Sequence, residues 1–165
     1  MNTLKAIIVN EKDEIIGSKK REDITSSDIY RVSALWLTNS KGEVLMAQRA
    51  LTKKHDPGIW GPAVAGTVEE GETYDSNIAK ETEEELGLTG VTMTKGAKNL
   101  RTGNHTYFCQ WYFGHINKKI SDLRLRPEEV IAARWVSPAL LLAEAREHPE
   151  RFTPNTRKHI ERFCS

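Results

Sequence analysis

Residues 66 to 88 read "GTVEEGETYDSNIAKETEEELGL", with eight carboxylates and one cation in 23 positions. Three of the carboxylates, Glu81, Glu84 and Glu85, share a face if the stretch is helical: at a helical advance of about 100° per residue they project into a sector roughly 100° wide. Oxygen donors with no His or Cys beside them suit a hard divalent cation such as Mg²⁺, Mn²⁺ or Ca²⁺ better than zinc. The i,i+4 pair Glu81 and Glu85 costs roughly 0.2–0.5 kcal/mol on an exposed helix, and more where packing excludes water. A positive partner is therefore expected on that face. A solvated acidic face is the ordinary alternative reading of such a run. Upstream, Gly66 and Gly71 make a loop in which backbone can approach an ion or a phosphate closely.

These residues need elements to position them. The helix signal runs from about Tyr74 to Leu86 and closes at Gly87, a favoured C-terminal stop. Ile78, Ala79, Thr82 and Leu86 form an apolar stripe toward the core, with Glu83 on the far side. Residues 5 to 17 read as two short strands joined by "EKDE". Residues 27 to 39 alternate Val32, Ala34, Trp36 and Thr38 with Ser33, Leu35 and Leu37, apolar on both faces as a central strand requires. A turn at Ser40 to Gly42 leads into a second strand, Glu43 to Arg49. "LTKKHDPGIWGP" reads as a loop because Pro and Gly interrupt it. Further strands are expected near 90–97, 105–116 and 129–136. Ser137-Pro138 and Thr153-Pro154 each pair an N-cap with a first-turn proline and open the closing helices. Mixed strands with one central helix and terminal helices indicate an α+β or α/β sandwich in one domain spanning 1–165.

The spacing Gly, five residues, Glu, seven residues, a cation, Glu, two residues on Glu-Glu, then Gly-aliphatic resembles the signature box of the Nudix hydrolases. Gly66, Glu72, Glu81, Glu84, Glu85, Gly87 and Leu88 match in register. "GEVLMAQRA", "PGIW" and "EVIAARWVSPALL" resemble the flanking strands and closing helix of that family. Residues 1–25 are similar to the edge strands of the subgroup around isopentenyl-diphosphate isomerase, and 137–165 form the C-terminal helices.

The resemblance implies an α/β class fold, a Nudix-like α/β/α sandwich with a mixed sheet, and a pyrophosphohydrolase that acts on a small organic diphosphate with Mg²⁺ or Mn²⁺. By position, Glu81, Glu84, Glu85 and the Gly66 carbonyl would be metal ligands, and Glu72 would pair with residue 80 to orient the helix. Glu85 is the first candidate for the base that takes the water's proton, with Glu128 or Glu129 in reserve. Lys80 stands where the family has arginine. It keeps the charge and loses the two-pronged contact with a carboxylate. Thr82 replaces an aliphatic residue, and its hydroxyl can bond a carbonyl one turn back. A ligand-binding protein of the same fold with weakened catalysis is the alternative. Isomerisation is set aside, because Ala65 and Thr67 occupy the isomerase's cysteine and histidine positions.

Composition bounds the rest. With 165 residues, 38% hydrophobic, 28% charged and a net charge of +1, nothing draws the chain to nucleic acid or lipid. Two cysteines, no apolar run of membrane length and no leader-like segment give a cytoplasmic expectation. A homodimer is left open. Arg49, Lys53, Lys54 and His55 precede the box and are candidates for substrate phosphates, Arg49 foremost and Lys54 with it, with simple solvation as the alternative. His105, Trp60 and the run Tyr107 to Phe113 read mainly as strand and core, with a ring or two free to stack on a base.

Overall fold

The computed structural model describes residues 4–165, so residues 1–3 of the expected N-terminal edge segment lie outside the described residues. The strands are β1 (Lys5–Val9), β2 (Ile15–Lys20), β3 (Ile29–Thr38), β4 (Val44–Arg49), β5 (Trp60–Pro62), β6 (Val64–Thr67), β7 (Met93–Arg101), β8 (Thr106–His115) and β9 (Val130–Val136). The helices are α1 (Tyr74–Leu86), α2 (Pro138–Glu147) and α3 (Pro154–Cys164).

β3 organises the sheet. It pairs in parallel with β8 along its whole length, from Ile29↔Thr106 to Thr38↔His115. Its antiparallel neighbours are β6, from Val32↔Thr67 to Leu35↔Val64, and, at its start, β1. With β4 it shares only Thr38↔Val44, and β4 lies instead between β5 and β9. Residues 60 to 67 thus change partners midway, the first half pairing with β4 and the second with β3. Alternation along β3 sets the layers. Leu35 and Leu37 pack toward Ile78 and Leu86 of α1, while Ala34 and Trp36 pack toward Leu141 of α2 and Ile160 of α3. The result is an α/β/α sandwich around a mixed sheet, in which each fully buried Leu contributes about 1.5–3 kcal/mol.

α1 begins with a capping box, in which the Thr73 side chain accepts from the Ser76 amide and the Ser76 side chain accepts from the Thr73 amide. It ends at Gly87, whose φ of 70° is left-handed. Thr82 is buried and its hydroxyl donates to the Ile78 carbonyl at 2.6 Å. Ser137 and Thr153 cap α2 and α3 ahead of prolines, as their sequence predicts.

Three readings are corrected. Trp60–Pro62 is a strand rather than loop, because β4 supplies partners that outweigh the local turn preference of Gly61 and Pro62. Ala79 is exposed and Asn77 takes its place on the buried face of α1, because Asn77 has polar partners inside. The strand expected at 90–97 runs Met93–Arg101, since β8 pairs with it as far as Arg101.

Candidate active site

Gly66 sits on β6 facing α1. A Cβ there would lie 2.5 Å from Glu81 Cγ and 2.7 Å from its Cδ, so the glycine exists for close approach rather than for backbone freedom. Glu81 is half-buried. Burial, opposed by Lys80 and reinforced by the Glu84 charge, pushes its carboxyl up to about 7. Glu85 is 6% exposed. Burial, then the charges of Glu81 and Glu129, raise it well above the carboxylate range, against the pull of Lys53 and the Ala65 amide. Glu84 is exposed and lies 3.6 Å from Arg126, and Glu83 faces solvent as predicted.

The three helix carboxylates are turned to different partners. Among the described residues, no three His, Cys, Asp or Glu side chains converge as a group able to hold a metal ion. The donors are all oxygen, and two of them, Glu81 and Glu85, are held toward their neutral forms by burial first and by neighbouring carboxylates second. Both properties fit a hard divalent cation.

Lys80 lies among three carboxylates, with Nζ 2.8 Å from Glu72 Oε2, 3.5 Å from Glu69 Oε2 and 3.7 Å from Glu81 Oε1. The other oxygen of Glu72 accepts from the Glu69 amide at 2.8 Å and from Asn77 Nδ2 at 3.2 Å. The backbone and Asn77 therefore provide the second contact that lysine lacks relative to arginine. Asn77 also donates to the Thr67 carbonyl and accepts from the Ser33 hydroxyl, tying α1 to β3 and β6. Sequence reasoning missed Asn77, a polar residue on the helix's buried face whose partners are distant or in backbone.

Across from α1, Lys53 Nζ is 2.5 Å from Glu129 Oε2, and the Glu129 carbonyl accepts from the Ala50 amide, fixing the loop before β9 to the end of β4. Glu128 is exposed, 3.7 Å from Arg126. Arg49 Nε donates to the His55 carbonyl, while Lys54 is exposed. The pair Tyr30 and Tyr107, in register on β3 and β8, has ring centroids 5.4 Å apart, and His55 meets His105 edge-on at 4.7 Å. Trp60 lies under the Arg134 guanidinium, 4.7 Å from ring centroid to Cζ. The sequence reading puts Lys54 beside Arg49 as a substrate contact; the structure turns Lys53 toward Glu129 and leaves Lys54 exposed, a difference that only the chain's path decides.

A family model described as the NUDIX domain matches residues 29–160. An uncharacterized Nudix hydrolase of Pseudomonas aeruginosa is 34% identical over 86% of this chain and 83% of its own. An isopentenyl-diphosphate Delta-isomerase of Cereibacter sphaeroides is 36% identical over 73% of each. Among solved structures, a Deinococcus radiodurans protein superposes with a TM-score of 0.83 at 24% identity, covering 96% of this chain and 98% of that one. Among the described residues no helix is long and apolar enough to cross a membrane.

Proposed function

The chain belongs to the Nudix hydrolases, and from that membership we propose that it hydrolyses the diphosphate bond of a nucleoside diphosphate-linked or related small organic diphosphate, with Mg²⁺ or Mn²⁺. The observation that carries this is Glu85, a buried carboxylate crowded by Glu81 and Glu129. The Gly66 carbonyl, Glu81, Glu84 and Glu85 would hold the cation, which when bound supplies countercharge to the diphosphate and a more acidic water. Arg49 and Lys54, with Lys53 beside them, take phosphate oxygens and orient the substrate. A water oxygen attacks one phosphorus, the bridging P–O bond breaks with its electron pair leaving on the second phosphate, and the water's proton passes to a carboxylate. Glu85 is the proposed acceptor and Glu129, near enough for its charge to act on Glu85, the second candidate. Glu72 and Lys80 hold the loop and helix in place.

Ala65 carries no acid for protonating an isoprenoid, which weighs against isomerisation despite the isomerase relatives. The test is a panel of nucleoside diphosphates, sugar nucleotides, dinucleoside polyphosphates and isopentenyl diphosphate, with and without Mg²⁺ or Mn²⁺. Metal-dependent release of monophosphate products, lost in Glu85→Gln, is the expected result. Ligand-induced thermal stabilisation without turnover would identify a binding protein instead, and isomerised isopentenyl diphosphate would overturn the hydrolytic reading.

A further inference from the structure

The carboxylate cluster at the box is short of positive charge. Glu69, Glu72 and Glu81 all lie within 4 Å of the single ammonium of Lys80. Glu69 is 8% exposed, and a carboxylate so buried needs a compensating partner. Its second cation is Arg21, whose Nη2 lies 3.3 Å from Glu69 Oε1, while Lys80 reaches Oε2. The Arg21 charge also acts on Glu81 and on the Tyr30 hydroxyl, which sets it near both.

Arg21 arrives there by strand register. Lys5 of β1 pairs with Lys20 at the end of β2, and the Lys5 carbonyl accepts from the Glu70 amide at 2.8 Å. A bridge between Ala6 and Glu69 and a bond from the Ile7 amide to the Val68 carbonyl lay β1 along the strand that leads into the box loop. The residue after Lys20 therefore falls beside Glu69. It lies outside the segment 29–160 that the family model matches.

We propose that Arg21, supplied by the N-terminal hairpin, is a positioning residue of the active site: by sharing Glu69 with Lys80 it leaves the shorter contact of Lys80 with Glu72 in place. The hairpin thus delivers to the cluster the guanidinium that position 80 lacks. Without Arg21, Glu69 draws more strongly on Lys80, at the expense of the Glu72 contact that orients α1. The effect on turnover rests on the proposed hydrolysis; the charge coupling does not.

The test is a set of variants, Arg21→Ala, Arg21→Lys, Lys80→Arg and Arg21→Ala with Lys80→Arg, assayed for kcat and KM on whichever panel diphosphate the wild type turns over. Arg21→Ala should lower kcat about fivefold or more with KM nearly unchanged, and either Arg21→Lys or the added Lys80→Arg should recover most of it. A parallel stability cycle with Arg21→Ala, Lys80→Ala and the double variant needs no activity, and the double should lose more Tm than the two singles together. If the wild type turns nothing over, the proposed function fails and the stability cycle alone decides on Arg21. Additive Tm losses, or a kcat loss that Lys80→Arg leaves unrelieved, would overturn the assignment.

Discussion

Gly66→Ala tests whether Glu81 is held where the chemistry needs it. An alanine at 66 incurs no left-handed backbone strain, so its cost falls on the neighbour. Its Cβ would be 2.5 Å from Glu81 Cγ, whereas ordinary contact begins at 3.4 Å. Glu81 Cγ must therefore retreat by about 0.9 Å, and misplacement of about 1 Å at a reacting centre costs on the order of a hundredfold in rate. The flexible part of Glu81 can move without unfolding α1, so the expected thermal stability loss is small, about 1–3 kcal/mol at most for local overpacking. The assay is kcat for phosphate release at saturating Mg²⁺ or Mn²⁺, alongside a thermal melt of the same preparation. A kcat within threefold of wild type with an unchanged melt would refute the view that β6 and Glu81 are packed to position one another. A collapse of the fold would show that the contact is structural first.

Three more perturbations probe the frame around the site. Asp13 accepts from Arg31 Nε and Lys98 Nζ, both at 2.7 Å, and from the Tyr74 hydroxyl at 3.0 Å; these contacts outweigh its burial and keep its pKa low, so Asp13→Asn should cost about 3 kcal/mol in urea unfolding. A loss under 1 kcal/mol would mean the cations find other partners. Asn77→Ala strands the Ser33 hydroxyl and loosens Glu72, with an expected cost of about 1–3 kcal/mol and a fall in kcat that Lys80→Arg partly restores. His159 is buried against Trp111, ring centroids 3.7 Å apart, and burial brings its pKa down to about 3 from 6.5. Between those values the unfolded chain binds a proton that the folded chain refuses, so this contribution to stability is present above pH 6.5 and falls by up to about 1.4 kcal/mol per pH unit as pH drops toward 3. His159→Phe should remove that slope, and identical pH profiles for the two proteins would contradict it.

What the sequence disclosed was whatever local chemistry decides. The α1 stop at Gly87, the caps at Ser137 and Thr153 and the two-faced alternation of β3 each depend on neighbours within a few residues, and each is found as read. Glu83 faces solvent as read, but so does Glu84, and the partners of Glu81, Glu84 and Glu85 did not show. Trp60–Pro62 becomes a strand through β4, and Asp13 becomes a hub through residues on β3, α1 and β7. Lys53 is distinguished from Lys54 only by which of two adjacent side chains the loop turns toward Glu129. Arg21 belonged to a segment read as mere edge strands, and its relevance appears only when Lys5↔Lys20 register brings it to Glu69.

The full-length parallel pairing of β3 with β8 also bears on how the chain is made. When α1 and its glutamates have emerged from a ribosome, β3 has its antiparallel partners available, but the edge that will hold β8 is bare until Thr106–His115 follows. During synthesis at about 5–20 residues per second, that edge of unpaired backbone groups stays open for a second or more. Long-range parallel pairing is slow to close. The nascent chain therefore passes through an interval in which its central strand is half satisfied, and substitutions that lengthen that interval should lower soluble yield in cells before they lower the stability of the finished protein.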